Sequence, residues 1–377
     1  MKKKIINIFG GGCAGFSFIR RSQEVKDASF KFYLGTENDE KDHYWGFWSS
    51  KYSNDFDKIC LKWNKWKIIN YRNEKTFYSN QHPYCLINKK KWINFCKSKI
   101  HNSNVKIIKK KVEDINSNFF VDKKRIEGDY FFDCRNITFN KNILIQHFIG
   151  LTIETNENKF DPSTVILMDF RCNQSRGLHF IYVIPFSKKK ALIESTLFSK
   201  NVEDRKFYLS AINSYLKENY NINYFRVLKE EKGIIPMQYM NFSLANSVSI
   251  GTRGGATKPS SGYTFIYIQK QISNIIYQLN NNLKINNFIH TKFSLLMDKI
   301  FIKALEKNPK IFPDLFYKMN SRLSGDEMAL FMNGNQSLKT WLKIIYSLPK
   351  LLFLRAIWQC IKTVSYTHLT LPTIVGV

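Results

Sequence analysis

An apolar strand-like run that ends in a glycine turn and opens a helix, four closely spaced strand-like runs in the middle, and a long helical pattern at the end predict an α/β fold. The first feature reads as the start of a Rossmann-like βαβ unit, the second as an inserted β-sheet module, and the third as a helical C-terminal region. The 377 residues leave room for two or three modules with a sizeable core. Hydrophobic residues make up 44% of the chain and aromatics 15%, which excludes a disordered polypeptide; the frequent Phe and Tyr suit a large apolar cavity, although composition alone favours plain drift.

The elements follow in order. Residues 4–9 read as a buried strand, Gly10 to Gly15 as a turn into a helix running to about Arg21, and Phe30–Leu34 as the second strand. Residues 42–87 read as aromatic and irregular, with Trp45, Trp48, Trp63 and Trp66. A helix is expected over Lys89–Ile100 and strands over Val105–Ile115, Phe119–Asp122 and Tyr130–Cys134. Gln146–Thr155, Val165–Cys172, Leu178–Phe186 and Ala191–Phe198 alternate with turn-rich segments, as in a largely antiparallel sheet. Val202–Leu216 reads as a helix, Tyr224–Glu231 and Val248–Gly251 as strands, and Gly262–Leu279 as a helix. Asn-rich 280–287 is a loop, and Phe293–Lys362 is helical. Val364–Thr373 reads as the translation of a sequencing adapter. Residues 364–377 are therefore set apart and expected to contribute no packing.

The net charge of +28 does not by itself indicate nucleic acid. Lys is enriched together with Asn and Ile, the drift of an AT-rich genome, and no zinc-finger, RNP-type or helix-turn-helix pattern accompanies it. An anionic membrane surface is the better electrostatic partner. The seven Cys are scattered without a C-x-x-C pair, and the His residues are isolated. This pattern predicts reduced thiols and no metal centre. Met1–Phe9 resembles a short signal peptide, but Asn7 interrupts the apolar run, and a strand feeding a glycine turn explains it better. No run reaches about 18 apolar residues, so no transmembrane helix is expected.

Gly10-x-Gly12-x-x-Gly15 follows a strand and opens a helix, the context of a dinucleotide-binding fingerprint. Gly10 permits the tight turn, Gly12 lets the backbone approach a pyrophosphate, and Gly15 allows close helix–strand packing. The acidic residue expected at the end of the second strand is replaced by Gly35. Glu37, two residues on, is the candidate to hold the ribose.

A second set of motifs carries a resemblance. Trp45-Gly-Phe-Trp48, Phe132-Asp-Cys-Arg135, Val165–Phe170, Tyr182–Phe186, Ala191–Phe198, Gly233–Met237 and Lys258–Tyr263 occur in an order and spacing similar to the bacterial lycopene β-cyclases. That similarity runs to about Trp358. The resemblance implies a Rossmann-like FAD-binding domain of the aromatic-hydroxylase type over 1–145 and 226–290. It also implies a substrate-binding β-sheet domain over 146–225 and a helical region over 291–363. Gly251, Gly255, Ser261 and Gly262 would approach the flavin a second time. Thr252 stands where related hydroxylases carry an Asp, and Ala256 where a bulky aromatic is expected.

The implied reaction converts the ψ-ends of lycopene, or of another ψ-end carotenoid, into β-rings. Proton-initiated cyclisation would be redox-neutral, with FAD in its reduced form and NAD(P)H as an indirect electron donor. The expected place is cytoplasmic, peripheral on the inner face of the cell membrane. The alternative reading is a flavin-dependent monooxygenase or reductase of another lipophilic substrate.

Protonating an alkene needs a neutral acid in a dry site, and burial raises a carboxyl pKa. Glu194 lies in an apolar strand, and period two puts Leu192 and Thr196 on its face. Pattern alone favours a solvent-facing Glu there; the resemblance makes it the essential acid. Asp169 is the second candidate, sharing a strand face with Leu167 and Arg171, so an ion pair to Arg171 competes with a catalytic role. Trp45 and Trp48 are candidate electron-rich walls for a cation. Leu338–Trp358 mixes apolar and basic residues and can lie on a bilayer or pack as a terminal helix.

Overall fold

The computed structural model describes residues 3–35, 42–100, 104–138 and 142–369, with side chains to Cys360. The chain opens with β1 (Lys4–Phe9), α1 (Cys13–Ile19) and β2 (Ala28–Leu34). Short strands β3 (Tyr44–Trp48), β4 (Leu61–Trp63), β5 (Lys65–Ile69), β6 (Glu74–Tyr78) and β7 (Tyr84–Asn88) follow, then α2 (Lys89–Ser98). β8 (Val105–Lys109), β9 (Glu113–Ile115), β10 (Asn118–Val121), β11 (Lys124–Arg125) and β12 (Tyr130–Asp133) complete the first third. The middle holds β13 (Ile145–Glu154), β14 (Thr164–Asp169), β15 (Leu178–Pro185), β16 (Lys190–Ser199), α3 (Arg205–Tyr220) and β17 (Arg226–Pro236). β18 (Val248–Ser249) and α4 (Phe265–Asn280) lead into α5 (Lys292–Lys307), α6 (Phe312–Ser321), α7 (Gly325–Met332), α8 (Leu338–Ser347) and α9 (Lys350–Leu369).

The strand β1, its glycine turn and α1 form the predicted opening. β1 sits in a parallel sheet of order β18-β12-β1-β2-β8. Such a sheet must be covered on both faces. Here α1, α2 and α4 bring Phe16, Phe18, Trp92 and Ile272 to one face. The small β9–β11 sheet brings Phe119 against Phe9 and Tyr33 on the other. The fold is thus the α/β, Rossmann-like architecture the sequence predicts.

The middle of the chain builds a seven-stranded sheet of order β17-β13-β16-β15-β14-β5-β6. The four long runs pair antiparallel as expected, and β17 joins them at one edge. The region 42–87 is not irregular. β5 and β6 extend the seven-stranded sheet, while β3, β7 and β4 form a sheet of their own. β5 pairs parallel to β14, a partner far along the chain, and strands of three to five residues show too little alternation to be read locally.

The two faces of the seven-stranded sheet differ. α3 packs Tyr208, Ile212, Tyr215 and Leu216 against Ile149, Ile181 and Ile193 on one face. On the other, α5–α9 pack Phe312, Phe316, Met328 and Ile344 over Trp66, Leu167 and Phe180. The part of that face formed by β15, β16, β13 and β17 stays open as a cleft. The backbone of α9 continues helical to Leu369, into the stretch set apart as adapter-like. The expected lack of packing there concerns side chains beyond Cys360, which lie outside the described residues.

Candidate active site

A cleft of about 350 Å³ lies between the open face of the seven-stranded sheet and the segment Ser261–Phe265 with β3. It reaches Cys13 and Thr252 beside the glycine turn at one end and Glu194 at the other. That size is within the range of small-molecule sites.

Glu194 projects into this cleft from β16. Antiparallel register aligns Tyr182, Glu194, Gly150 and Glu231 in one row across β15, β16, β13 and β17. Paired residues share a face, so all four positions look the same way. Thr196, two residues on, donates a 2.6 Å hydrogen bond to Glu194 Oε1. Burial first, then the neighbouring Glu231, push the Glu194 carboxyl up to about 8, against the lowering effect of Thr196. The carboxyl is thus neutral at pH 7 and able to donate a proton. Tyr84, Tyr182 and Tyr263 surround it, and the Tyr263 hydroxyl exchanges hydrogen bonds with the other two. Burial keeps all three phenols protonated.

Asp169 is placed elsewhere. The register shift in β14 between Ile166 and Asp169 separates it from Leu167, which faces the apolar core under α5–α9. Asp169 pairs with Ile181 and points to the α3 face, away from Glu194. There Arg171 Nη2 lies 2.6 Å from Oδ2, and the Tyr215 hydroxyl donates to the same oxygen at 2.7 Å. The ion pair that competed with a catalytic role is the arrangement found. A bulge is invisible to a period-two reading, which is why the sequence put Leu167 and Asp169 together.

Trp45 lines the cleft and stacks on Phe265 at 5.4 Å between ring centroids. Trp48 sits one layer behind, edge-on to Tyr84 at 5.1 Å and tilted against Tyr263 at 5.2 Å.

The glycines are held as tightly as a phosphate-approaching turn requires. Gly10 has φ +104°, and a Cβ there would lie 2.9 Å from the Cys134 carbonyl. A Cβ on Gly15 would lie 2.0 Å from the Gly10 carbonyl oxygen. Gly12, by contrast, would carry a Cβ into open space with nothing within 4 Å. Gly251 closes the turn from the other side, where a Cβ would meet Ala14 at 2.8 Å. Gly255 and Gly262 have φ near +74° and +73°, and each backs onto a side chain, Tyr239 and Gln146. Ser261 presents a buried Oγ without a hydrogen-bond partner, and Gln146 an equally orphaned Oε1, both at the cleft. Glu37 lies outside the described residues.

These observations fit a dinucleotide cofactor. Space is open at Gly12, the turn glycines admit close approach, and polar atoms in the adjoining cleft wait for partners. Behind the Ser261 segment, Lys258 Nζ lies 2.9 Å from Asp298 Oδ1, both groups buried, and Ser260 donates to the same oxygen at 2.6 Å.

The sequence missed Glu231, Tyr84, Tyr182 and Gln146. A signal for Glu231 existed: Gly150 and Gly233 are interior strand glycines, which mark close approach of neighbours.

A parallel α/β sheet beside a seven-stranded sheet, with a cleft running from a glycine turn to a buried carboxyl, is an architecture shared with known structures. Over 95% of its length the chain is similar to a geranylgeranyl bacteriochlorophyll reductase-like protein from Thermoplasma acidophilum, covering 96% of that chain at TM-score 0.60 and 11% identity. A flavoprotein/dehydrogenase from Cytophaga hutchinsonii matches over 92% of this chain and 99% of its own at TM-score 0.55 and 12% identity. A flavin-dependent halogenase from Xanthomonas campestris matches over 99% and 97% at TM-score 0.53 and 12% identity. At these identities the likeness is one of fold.

Residues 5–356 match the family described as lycopene cyclase protein, and the chain belongs to that family. It is also 28% identical over 166 residues to a lycopene beta-cyclase of Paracoccus sp. (strain N81106 / MBIC 01143). That match spans 41% of this chain and 42% of the relative, less than half the length of each.

Proposed function

We propose that this protein is a lycopene β-cyclase that closes the ψ-ends of lycopene into β-rings without net redox change. The observation that carries the reading is Glu194, a neutral carboxylic acid facing an apolar, aromatic-walled cleft that continues to the glycine turn.

In this reading Glu194 donates its proton to the terminal C=C of the ψ-end. Leu192, Ile184 and Phe148 line the same cleft and limit water near the cation. The faces of Trp45 and Phe265 offer electron density to it. Thr196 orients the Glu194 carboxyl and accommodates its charge after proton transfer. Gly10, Gly12 and Gly15 would hold the pyrophosphate of FAD, with Gly251, Gly255, Ser261 and Gly262 along its other side. Reduced FAD would supply negative charge beside the developing cation. NAD(P)H is the proposed indirect donor of its electrons.

No helix among the described residues is long and apolar enough to cross a membrane. An exposed apolar surface flanked by lysines supports a peripheral placement. α8 and α9 expose Leu338, Leu342, Tyr346, Leu351 and Leu354 next to Lys343 and Lys350. We place the enzyme on the inner face of the cell membrane, with this surface against the lipid.

Pigment analysis of lycopene-accumulating bacteria expressing the chain tests the reading. It predicts a product of unchanged mass carrying β-rings. Unchanged lycopene beside soluble, flavin-loaded protein would refute it in favour of a monooxygenase or reductase.

A further inference from the structure

Gly150 separates two carboxylic acids. A Cβ built there would lie 3.5 Å from Glu194 Cβ and 3.2 Å from Glu231 Cγ, so both side chains flank the gap its missing side chain leaves. Glu231 is only 6% exposed, lines the same cleft, and its Oε2 accepts no hydrogen bond. The groups around it are few. Lys229 on its own strand has Nζ 3.6 Å from Oε2, Asp42 lies just before β3 and the Tyr44 backbone at its start, and β16 contributes Glu194. Lys229 is also committed elsewhere, 3.1 Å from Asp42 Oδ2 and 4.7 Å from the centre of the Tyr44 ring. Lys229 therefore serves two carboxylates, and Glu231 has the longer contact.

Resting on the cyclase reading, we propose that Glu231 is the general base of the reaction: it takes the proton released by the ring-closed cation and returns it to Glu194 across Gly150. The Glu194 O–H bond breaks, and the π pair of the terminal alkene forms a new C–H bond with that proton. The π pair of the neighbouring alkene then closes the ring as a C–C bond. The C–H pair on the ring carbon bearing the polyene becomes the ring double bond, and its proton passes to the Glu231 carboxylate. Transfer from Glu231 to the Glu194 carboxylate restores the starting state, so protons and electrons balance with no co-reactant.

The electrostatics agree. Burial pushes Glu231 up to about 7, against the lowering by Lys229, and Glu194 stands at about 8. Both carboxyls are thus held well above the ordinary carboxylate range, with Glu231 the more readily ionised of the two, as a base beside an acid requires.

The test compares flavin-loaded wild type with Glu231→Gln and Glu231→Asp on lycopene in vesicles. Loss of the proton from the polyene-bearing ring carbon gives a β-ring, whereas loss from the neighbouring ring methylene gives the ε-ring isomer. Glu231→Gln is expected to slow β-ring formation by about 10²- to 10⁴-fold and to divert residual product to ε-rings. Glu231→Asp should recover part of the β-ring share. A Gln variant with wild-type rate, ring ratio and pH profile overturns the assignment. Wild type that leaves lycopene unchanged fails the underlying reading instead, and the two failures cannot be confused. Isotope-edited infrared titration of the wild-type protein provides a readout independent of any variant. It should show Glu194 and Glu231 titrating as a coupled pair, and independent steps would sink the proposal.

Discussion

Glu194 illustrates how one residue's environment sets its chemistry. Exposed, its carboxyl would be ionised at pH 7 and useless as an acid. Burial and the facing Glu231 hold its proton until about pH 8. Glu194→Gln should keep flavin binding and lower turnover by at least about 10²-fold, measured as product formed per bound flavin. Activity should fall as the pH rises through about 8, where the acid loses its proton. The same raised value works against the fold. The unfolded carboxyl ionises in its ordinary range while the folded one stays protonated, so the folded state binds more protons in between. Stability contributed by this group is complete at acid pH and is lost as the pH rises through about 8. Thermal melts of Glu194→Gln should show a weaker decline across that window than wild type.

The glycine turn between β1 and α1 separates two duties that the sequence pattern merges. Gly15→Ala would drive a methyl into the Gly10 carbonyl and should cost about 1–3 kcal/mol or more, together with flavin. Gly12→Ala meets no protein atom, so it should leave the melting temperature nearly unchanged while lowering flavin occupancy. Parallel thermal melts and flavin absorbance would check both, and equal melting temperatures in the two variants would contradict the geometry. This turn was legible because its signal is local: a strand, three spaced glycines and a helix within sixteen positions. So were the four long antiparallel strands, whose runs span eight or more residues in three of them. β5 was not, because its partner β14 is distant in sequence, and β6, paired to β5, is only five residues long. Asp169 was assigned a face that only an intact period would give it, and Glu231 was hidden by its exposed neighbours Glu230 and Lys232.

At the scale of the whole molecule, the C-terminal helices are fastened to the Lys258–Tyr263 segment by the buried Lys258–Asp298 pair. Removing one partner strands a charge, so Asp298→Ala should cost about 3–5 kcal/mol in denaturant titrations. Lys258→Met with Asp298→Leu should recover much of that loss. The apolar surface of α8 and α9 makes a second global prediction. Leu342→Glu with Leu354→Glu should weaken binding to anionic vesicles at least about tenfold in sedimentation, with no change in fold, since both side chains are well exposed.

The parallel sheet gathers its strands from both sides of the long insertion 145–236: β1, β2, β8 and β12 come before it, and β18 after. As the chain leaves the ribosome, β12 keeps a bare edge and Ala14 lacks its Gly251 neighbour until residues 248–251 have emerged. The row Tyr182–Glu194–Gly150–Glu231 has no such delay, because it ends at Glu231, whereas the cleft wall Ser261–Phe265 emerges later still. Synthesis therefore lays down the carboxyl row first, closes the glycine turn next, and adds the wall that covers the row last, so the cleft takes shape only late in the life of the nascent chain.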